Sequence, residues 1–232
     1  MKLTDISKIY RIGTEKVVAL ENINLEIPKG EICCILGTSG SGKSTLLNLM
    51  AGLERPTKGN IKIKGKNIER MSENSLAKFR QKYVGFVFQS YNLLPALTAV
   101  ENVSLPLIFR GVGKKTRNER AKKLLAQVGL EKHLKHKPNQ MSGGQQQRVG
   151  IARAFVGKPE IIFADEPTGN LDSKTTVEVM RLITGIAREN NQTLIIVTHD
   201  VNIAKYADRV VYILDGNIEK IEKTVSAEGE IV

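Results

Sequence analysis

Short apolar runs rich in β-branched residues, separated by turn residues, characterise the first third of the chain. Such runs predict strands, because β-branched side chains pack well on a pleated surface. The run Glu31–Leu36 is entered through a Pro-Lys-Gly turn and leads into a glycine-rich loop, after which Lys43–Ala51 has helical spacing and Gly52 as its stop. The strands predicted here are Met1–Ile9, Val17–Leu20, Asn24–Ile27, Glu31–Leu36, Ile61–Ile63 and Val84–Phe88.

The middle of the chain, residues 90–158, changes to helical periodicity. Gly129 and Gly157 stand where helix C-termini favour a left-handed residue. A Ser or Thr followed three residues later by Glu or Gln predicts a helix start, because the two side chains satisfy amides that the first turn leaves unpaired. Three such capping boxes occur, at Thr98–Glu101, Thr116–Glu119 and Ser142–Gln145.

Alternation of strands and helices resumes after residue 158. Strands are predicted at Ile161–Ala164, Thr193–Val197 and Arg209–Leu214, with a helix from about Ser173, and Asp215-Gly216 predicts a closing hairpin. We therefore expect an α/β domain over residues 1–222. Its core, residues 1–89 and 159–222, is interrupted by an α-helical subdomain, residues 90–158. The tail, residues 223–232, matches no pattern that we can interpret.

The net charge of the chain favours an anionic partner. Thirty-five Lys and Arg residues against 24 Asp and Glu give a net charge of +11, which suits a nucleotide, a nucleic acid or a lipid surface. The longest apolar stretches have the length of strands, far below the ~20 residues that cross a bilayer. No apolar signal segment follows Met1, so we expect a cytosolic protein. Cys33 and Cys34 are adjacent in an apolar run and are interpreted as buried thiols.

The glycine-rich loop between strand and helix matches the phosphate-loop template. Its glycines let backbone amides surround phosphates, and the helix N-terminus adds partial positive charge. Lys43 is then placed for the β and γ phosphate oxygens, and the Ser44 hydroxyl for Mg²⁺. An ordinary Gly/Ser loop is the alternative, which the complete motif disfavours. The nucleotide-binding residues expected from this loop are Gly37, Ser39, Gly40, Gly42, Lys43, Ser44 and Thr45.

The apolar strand at Ile161–Ala164 is followed directly by Asp165 and Glu166. In a phosphate-loop enzyme the first carboxylate belongs beside Mg²⁺, and the second is placed to accept a proton from an attacking water. Two solvated acids at a strand end are the alternative, which is a minor one next to the phosphate loop.

The segment Met141-Ser142-Gly143-Gly144-Gln145 closely resembles the signature motif of ATP-binding cassette (ABC) ATPases, with Met141 in place of the usual leucine. Ser142 and Gln145 also form a capping box, and the two interpretations are compatible because the family uses this helix start to face the partner subunit's ATP. The resemblance extends to about residue 222. Residues 91–103, 138–140 and 164–172 look like the lipoprotein-releasing, macrolide-export and antimicrobial-peptide-export branch.

The resemblance implies roles for further residues. Tyr10 resembles the aromatic residue that stacks on adenine, so that Tyr10→Phe should be nearly silent. Gln89 matches the glutamine that contacts Mg²⁺ or the water, and His199 matches the switch histidine at the γ-phosphate. Asp172, in Asn170-Leu171-Asp172, resembles the loop that crosses the dimer interface.

A fold, cofactors and partners are implied as well. The family has a P-loop NTPase core, an N-terminal antiparallel β subdomain and an inserted α-helical subdomain. Two cassettes form an ATP-dependent homodimer that uses ATP and Mg²⁺ and drives an integral membrane permease from the cytoplasmic face of the membrane. A soluble ABC ATPase acting on DNA or ribosomes is the alternative. A phosphate-loop kinase is a third option, in which the signature and the histidine have no role.

The basic excess is concentrated in Arg110–Lys137, where ten Lys and Arg residues face only Glu119 and Glu131, a net charge of +8. A solvated helix face and a face near anionic lipid headgroups both fit this pattern. Nucleic-acid binding fits least, because Phe109 is the only aromatic residue nearby and no reading motif is present. No nucleic-acid partner is expected.

Overall fold

The computed structural model describes residues 1–224, and its contacts divide the chain into two compact units. Among the described residues, the first unit is Met1–Arg80 with Thr193–Thr224, and the second is Gln81–Gln192. Apart from Lys223 and Thr224, the tail predicted at 223–232 lies outside the described residues. In chain order the strands and α-helices are β1 (Lys2–Ile12), β2 (Glu15–Glu26), β3 (Ile32–Leu36), α1 (Lys43–Met50), β4 (Lys58–Ile63), β5 (Lys66–Asn67), α2 (Glu73–Tyr83), β6 (Val84–Phe88), α3 (Ala99–Phe109), α4 (Lys114–Gln127), α5 (Gly143–Phe155), β7 (Ile161–Asp165), α6 (Ser173–Glu189), β8 (Thr193–Thr198), β9 (Arg209–Leu214) and β10 (Asn217–Lys223).

The first unit contains an antiparallel sheet in the order β2-β1-β4-β5. One long strand, β2, replaces the two strands predicted at Val17–Leu20 and Asn24–Ile27. The polar interval between them does not break the strand. Instead Asn22 adopts a left-handed φ of 49° and its backbone N–H donates to the Ser7 hydroxyl, while the β1–β2 register shifts. A bulge of this kind absorbs extra residues without ending the pairing.

The same unit contains parallel strands, with β3 paired to β8 on one side and to β9 on the other. All residues of β3 and β8 are buried, as expected for parallel strands that are covered on both faces. Both cysteines of β3 are buried, and burial raises the pKa of the Cys33 thiol. The hairpin predicted at Asp215-Gly216 joins β9 to β10, with positive φ at both turn residues.

The second unit combines the parallel pair β6–β7 with helices α3, α4, α5 and α6. Helix α5 packs on β6 and on α3 and α4, and its buried apolar residues include Val149, Ile151 and Phe155. No helix of residues 1–224 is long and apolar enough to cross a membrane. The division into a core and a helical subdomain at 90–158 stays a prediction.

Two of the helix-end predictions are wrong. Helix α4 begins after Gly113, whose carbonyl accepts from the Arg117 N–H, so Thr116 lies within the first turn and forms no cap. After α5 the left-handed residue is Lys158, with φ 48°, and not Gly157. A Cβ at position 157 would lie 2.7 Å from the Arg110 guanidinium, which would have to shift.

Candidate active site

The glycine-rich loop leaves β3 and passes close to other backbone segments of the first unit. A Cβ at Gly37 would lie 2.3 Å from the Ile213 carbonyl oxygen, and one at Gly42 would lie 2.5 Å from that of Ala19. Gly42 also has φ 99° and serves as the N-cap of α1, where no described side chain caps the helix. An uncapped helix start in a tight glycine loop fits a phosphate group.

Lys43 and Ser44 differ in accessibility. The Lys43 side chain is buried, and its ammonium group donates to the Thr38 carbonyl at 2.6 Å, across the loop. Ser44 is exposed, so its hydroxyl is accessible to a ligand. The Ser41 hydroxyl is buried and has no hydrogen-bond partner among the described residues. The loop thus holds a cation and an unsatisfied hydroxyl in its interior, a donor set suited to phosphate oxygens.

His199 lies at the same edge of the sheet as the start of the glycine loop. It follows Thr198, the last residue of β8, which pairs in register with Leu36, the last residue of β3. Parallel strands that pair at their last residues release their loops side by side. The exposed histidine and the phosphate loop are thereby neighbours.

The second unit brings Gln89 and the carboxylate pair together. Phe88 and Asp165 pair in register at the ends of β6 and β7, so Gln89 and Glu166 emerge next to each other. A Cβ at Gly169 would lie 2.7 Å from the Gln89 amide nitrogen, and the Asn170 amide donates to the Gln89 carbonyl at 3.1 Å. The residues after β7 are folded back against Gln89.

Glu166 has a backbone conformation that glutamate rarely adopts. Its φ is 43°, in the left-handed region, which costs of order 1–3 kcal/mol for a non-glycine residue. The Glu166 carbonyl accepts from the Gly169 N–H at 3.1 Å, and the carbonyl of the next residue, Pro167, accepts from the buried Gln147 amide. These bonds hold the strained turn. Such strain clusters at functional sites.

The signature segment forms the start of α5. The Ser142 hydroxyl accepts from the Gln145 N–H, and the Gln145 amide oxygen accepts from the Ser142 N–H at 2.9 Å. The predicted capping box is confirmed. A Cβ at Gly143 would lie 2.8 Å from the Tyr91 hydroxyl, and one at Gly144 would lie 2.9 Å from a Thr175 methyl. A side chain at either position would therefore displace a neighbouring side chain of this same chain.

Tyr10 lies in the first unit and makes more contacts than its sequence context suggested. Its hydroxyl donates to Glu54 at 2.7 Å. Partial burial, followed by the bond to Glu54, raises the pKa of Tyr10. The expectation that Tyr10→Phe is nearly silent gives the hydroxyl no role, whereas in the structure the hydroxyl is hydrogen-bonded to Glu54.

Several residues of this region escaped the sequence interpretation. Glu54, Gln147 and Arg153 are examples, of which Arg153 donates to the carbonyls of Tyr91 and Asn92. The pair Tyr91-Asn92 has positive φ at both residues. A lone polar residue carries no local pattern that predicts such long-range bonds.

The structure gathers the predicted residues into two groups, one in each unit. The first group is Tyr10, Gly37–Thr45 and His199, and the second is Gln89, Asp165, Glu166, Ser142–Gln145 and Asp172.

These features define the class of protein as a phosphate-loop nucleotide-binding α/β protein, and comparison with known proteins identifies the family. The family model described as ABC transporter matches residues 20–169. A Thermotoga maritima "Uncharacterized ABC transporter ATP-binding protein" is 52% identical over 96% of this chain and 95% of its own length. A Vibrio parahaemolyticus "Macrolide export ATP-binding/permease protein MacB" is 46% identical over 98% of this chain and 34% of its own length.

A solved structure agrees with this result. The ATP-binding cassette MJ0796, described as a dimeric post-hydrolysis state bound to ADP and Pi, superposes with a TM-score of 0.89 at 46% identity and covers 96% of this chain and 97% of its own. The chain belongs to the ABC transporter family, and it is an ATP-binding ATPase subunit. The predicted fold class and the resemblance to the macrolide-export branch are confirmed.

Proposed function

We propose that this ATPase hydrolyses ATP at composite sites in a head-to-tail homodimer and thereby drives a membrane permease that exports or extracts its substrate. The observation that carries the proposal is the uncapped start of α1 inside a glycine loop that holds Lys43. The dimeric ADP- and Pi-bound relative supports the dimer. Each site takes its phosphate loop from one chain and its Ser142 signature from the other.

The residues of one site have separate roles in ATP hydrolysis. Lys43 binds the β and γ oxygens as a point charge, and its ammonium has three donors, of which one goes to the Thr38 carbonyl. His199 contacts the γ-phosphate. Glu166 accepts a proton from the attacking water as the water oxygen bonds to phosphorus and the β–γ bridging oxygen leaves with its electron pair. When bound, Mg²⁺ offsets phosphate charge, and Ser44, Gln89 and Asp165 are the residues that would hold it.

The variant Glu166→Gln tests this assignment. The amide keeps the shape and the backbone strain of residue 166 but does not accept the proton. We expect near-normal ATP affinity, turnover reduced by roughly 10²- to 10⁴-fold, and an ATP-bound dimer visible by gel filtration. Glu131→Gln, an exposed change of the same type, serves as the control. Hydrolysis by Glu166→Gln at the wild-type rate would remove Glu166 from the role of base.

The permease partner is supported by an apolar groove in the second unit. A cavity of about 220 Å³ is lined by residues of β6, α3 and α5, with Phe88, Leu105 and Phe109 among them. Phe109 is 65% exposed and the adjacent Ile108 is 43% exposed. Exposed apolar surface of this kind marks an interaction site. The Vibrio relative is an ATP-binding/permease protein by name, which supports a permease as the partner.

A second proposed contact is with anionic lipid at the cytoplasmic face of the membrane. Exposed lysines of α4, among them Lys114, Lys115, Lys122 and Lys123, follow the exposed Phe109 closely in the chain. Each basic residue near an anionic surface contributes about 1 kcal/mol at physiological ionic strength. A cassette bound to a permease through α3 would carry this basic helix close to the lipid headgroups.

Vesicle sedimentation tests the lipid contact. Replacing the four α4 lysines by glutamine should weaken binding to vesicles containing phosphatidylglycerol by more than about tenfold, and pure phosphatidylcholine should bind neither protein. A control with Lys16, Lys29, Lys58 and Lys66 replaced by glutamine loses the same charge from other exposed positions. Equal losses in both variants would show that net charge, and not α4, determines the binding.

A further inference from the structure

One carboxylate in the first unit collects three polar groups from two different elements. Glu54, which follows α1, accepts from the Tyr10 hydroxyl at 2.7 Å and from the Asn48 amide at 3.1 Å. The Lys8 ammonium lies 3.1 Å from the same carboxylate oxygen that Tyr10 uses. Lys8 and Tyr10 are both in β1, whereas Asn48 is in α1. The carboxylate therefore links the strand that carries the aromatic ring to the helix that starts at the phosphate loop.

The ionised form of Glu54 is the one that this arrangement favours. Partial burial opposes ionisation, but the hydrogen bonds from Tyr10, Lys8 and Asn48 outweigh it and hold the pKa of the Glu54 carboxyl below its usual value. A charged acceptor makes the bond from the phenol stronger than a neutral one would. The Tyr10 hydroxyl is consequently held by a charge-assisted hydrogen bond.

The ring of Tyr10 is restricted on one face as well as at its hydroxyl. The Lys8 ammonium lies 4.9 Å from the ring centroid, within the range of a cation–π contact. A base that stacks on this ring would therefore use the opposite face. The hydrogen bond at the hydroxyl, the Lys8 contact on one face and the position of Tyr10 in β1 together define one orientation of the ring.

We propose that Glu54 is a positioning residue for nucleotide binding: it holds the Tyr10 ring in the orientation that stacks on adenine and ties that ring to α1. The proposal rests on the proposed role of Tyr10 as the adenine platform. It makes the phenol hydroxyl functional, because only a hydroxyl at this position reaches the carboxylate. Preorganising the ring lowers the ordering cost that the nucleotide would otherwise meet on binding.

A double-mutant cycle on ATP affinity tests the proposal, measured by calorimetry with Mg²⁺ present. Tyr10→Ala should weaken ATP binding by roughly 5- to 150-fold, the range for loss of one aromatic–base stack. Glu54→Gln and Tyr10→Phe should each weaken it by roughly 2- to 10-fold, the range for one hydrogen bond. Glu54→Gln added to Tyr10→Ala should have no further effect, since no ring remains to be positioned.

Tripolyphosphate, which has no base, separates positioning from damage to the phosphate loop. Its affinity should be unchanged in all of these variants. The control Glu73→Gln removes a carboxylate that pairs with Arg55, next to Glu54, and should leave ATP affinity unchanged.

The outcomes distinguish the two claims. If Tyr10→Ala binds ATP normally, Tyr10 is not the platform and the proposed role fails. If Tyr10→Ala weakens ATP binding but Glu54→Gln does not, or if Glu54→Gln weakens ATP binding equally in both backgrounds, the role of Glu54 alone is overturned. A loss of tripolyphosphate affinity in Glu54→Gln also overturns it, and Tyr10→Phe then shows separately whether the hydroxyl matters.

Discussion

Asp172 illustrates how one side chain serves the local fold at a position with a proposed role elsewhere. Its carboxylate caps α6 by accepting from the Lys174 and Thr175 N–H groups, both at 3.0 Å, and from the Thr175 hydroxyl at 2.6 Å. That hydroxyl, followed by the backbone N–H of the same residue, lowers the pKa of Asp172. The resemblance to the loop that crosses the dimer interface assigns the same residue a second function.

Two substitutions at position 172 separate these functions. Asp172→Asn keeps a side-chain oxygen for the cap, whereas Asp172→Ala removes it, so only Asp172→Ala should melt at a lower temperature. Because the pKa of Asp172 is lowered in the folded protein, its stabilising effect is present above the unfolded pKa and is lost as the pH falls through the folded value. The deficit of Asp172→Ala should therefore shrink in acid. If Asp172→Asn loses ATP-induced dimerisation at normal stability, the interface role is supported; normal dimerisation contradicts it.

At the scale of elements, the local patterns predicted the presence of helices and strands better than the residues at which they begin and end. The capping boxes at Thr98 and Ser142 are real, but the one at Thr116 is not, because the same spacing inside a first turn cannot be told from a cap. The break predicted in β2 failed for a related reason. Ser7 of the neighbouring strand supplies the bond that lets Asn22 stay in the sheet, and no local pattern contains that partner.

Arg110 fastens separate chain segments of the second unit together. Its guanidinium donates to the carbonyls of Gln81 and Gly157, both at 2.6 Å, and to that of Lys82 at 3.3 Å. Burial, followed by the charge of Arg120, lowers the pKa of Arg110. Three carbonyls at the ends of α2 and α5 are thus satisfied by one planar fork.

Arg110→Ala should lower the free energy of unfolding by roughly 2–3 kcal/mol, because carbonyls bonded to a charged donor lose it together. Arg110→Lys keeps the charge but has a single donor centre, so it should recover less than half of the loss. Urea unfolding followed by circular dichroism measures both. Lys115→Ala, an exposed change on α4, is the control and should stay within about 0.5 kcal/mol of the parent. Full stability of Arg110→Lys would contradict the role of the fork.

At the scale of the whole molecule, the fold class and the assignment as an ATPase followed from local motifs. The phosphate loop, the Asp165-Glu166 pair and the signature each place their residues at a strand or helix end. Glu54 lies 44 residues from Tyr10 in the chain, so its bond to that ring depends on how β1 and α1 come together. The strained φ of Glu166 is likewise fixed by bonds to residues outside the motif. The contacts that the sequence did not predict are tertiary contacts between residues far apart in the chain.

Ser142 gives the last prediction, because its two roles differ in outcome only in the dimer. The hydroxyl caps α5 in the single chain. If that were its whole function, Ser142→Ala would cost about 0.5–2 kcal/mol of stability and leave ATP turnover intact in the folded fraction. As part of a shared site, the same helix start must also admit the partner's γ-phosphate, so a bulky charged side chain there should block closure.

Ser142→Arg should therefore bind ATP normally as a monomer, since that pocket uses Lys43 and Ser44, yet fail to dimerise with ATP and fail to hydrolyse it. Mixing Ser142→Arg chains with Lys43→Ala chains makes heterodimers in which one composite site carries both lesions and the other carries neither. ATP-induced dimers should reappear in the mixture on gel filtration, and hydrolysis should partly return, although each variant alone is inactive. Full activity of Ser142→Arg alone would contradict the shared site, because an arginine at that position leaves no room for a phosphate from the partner.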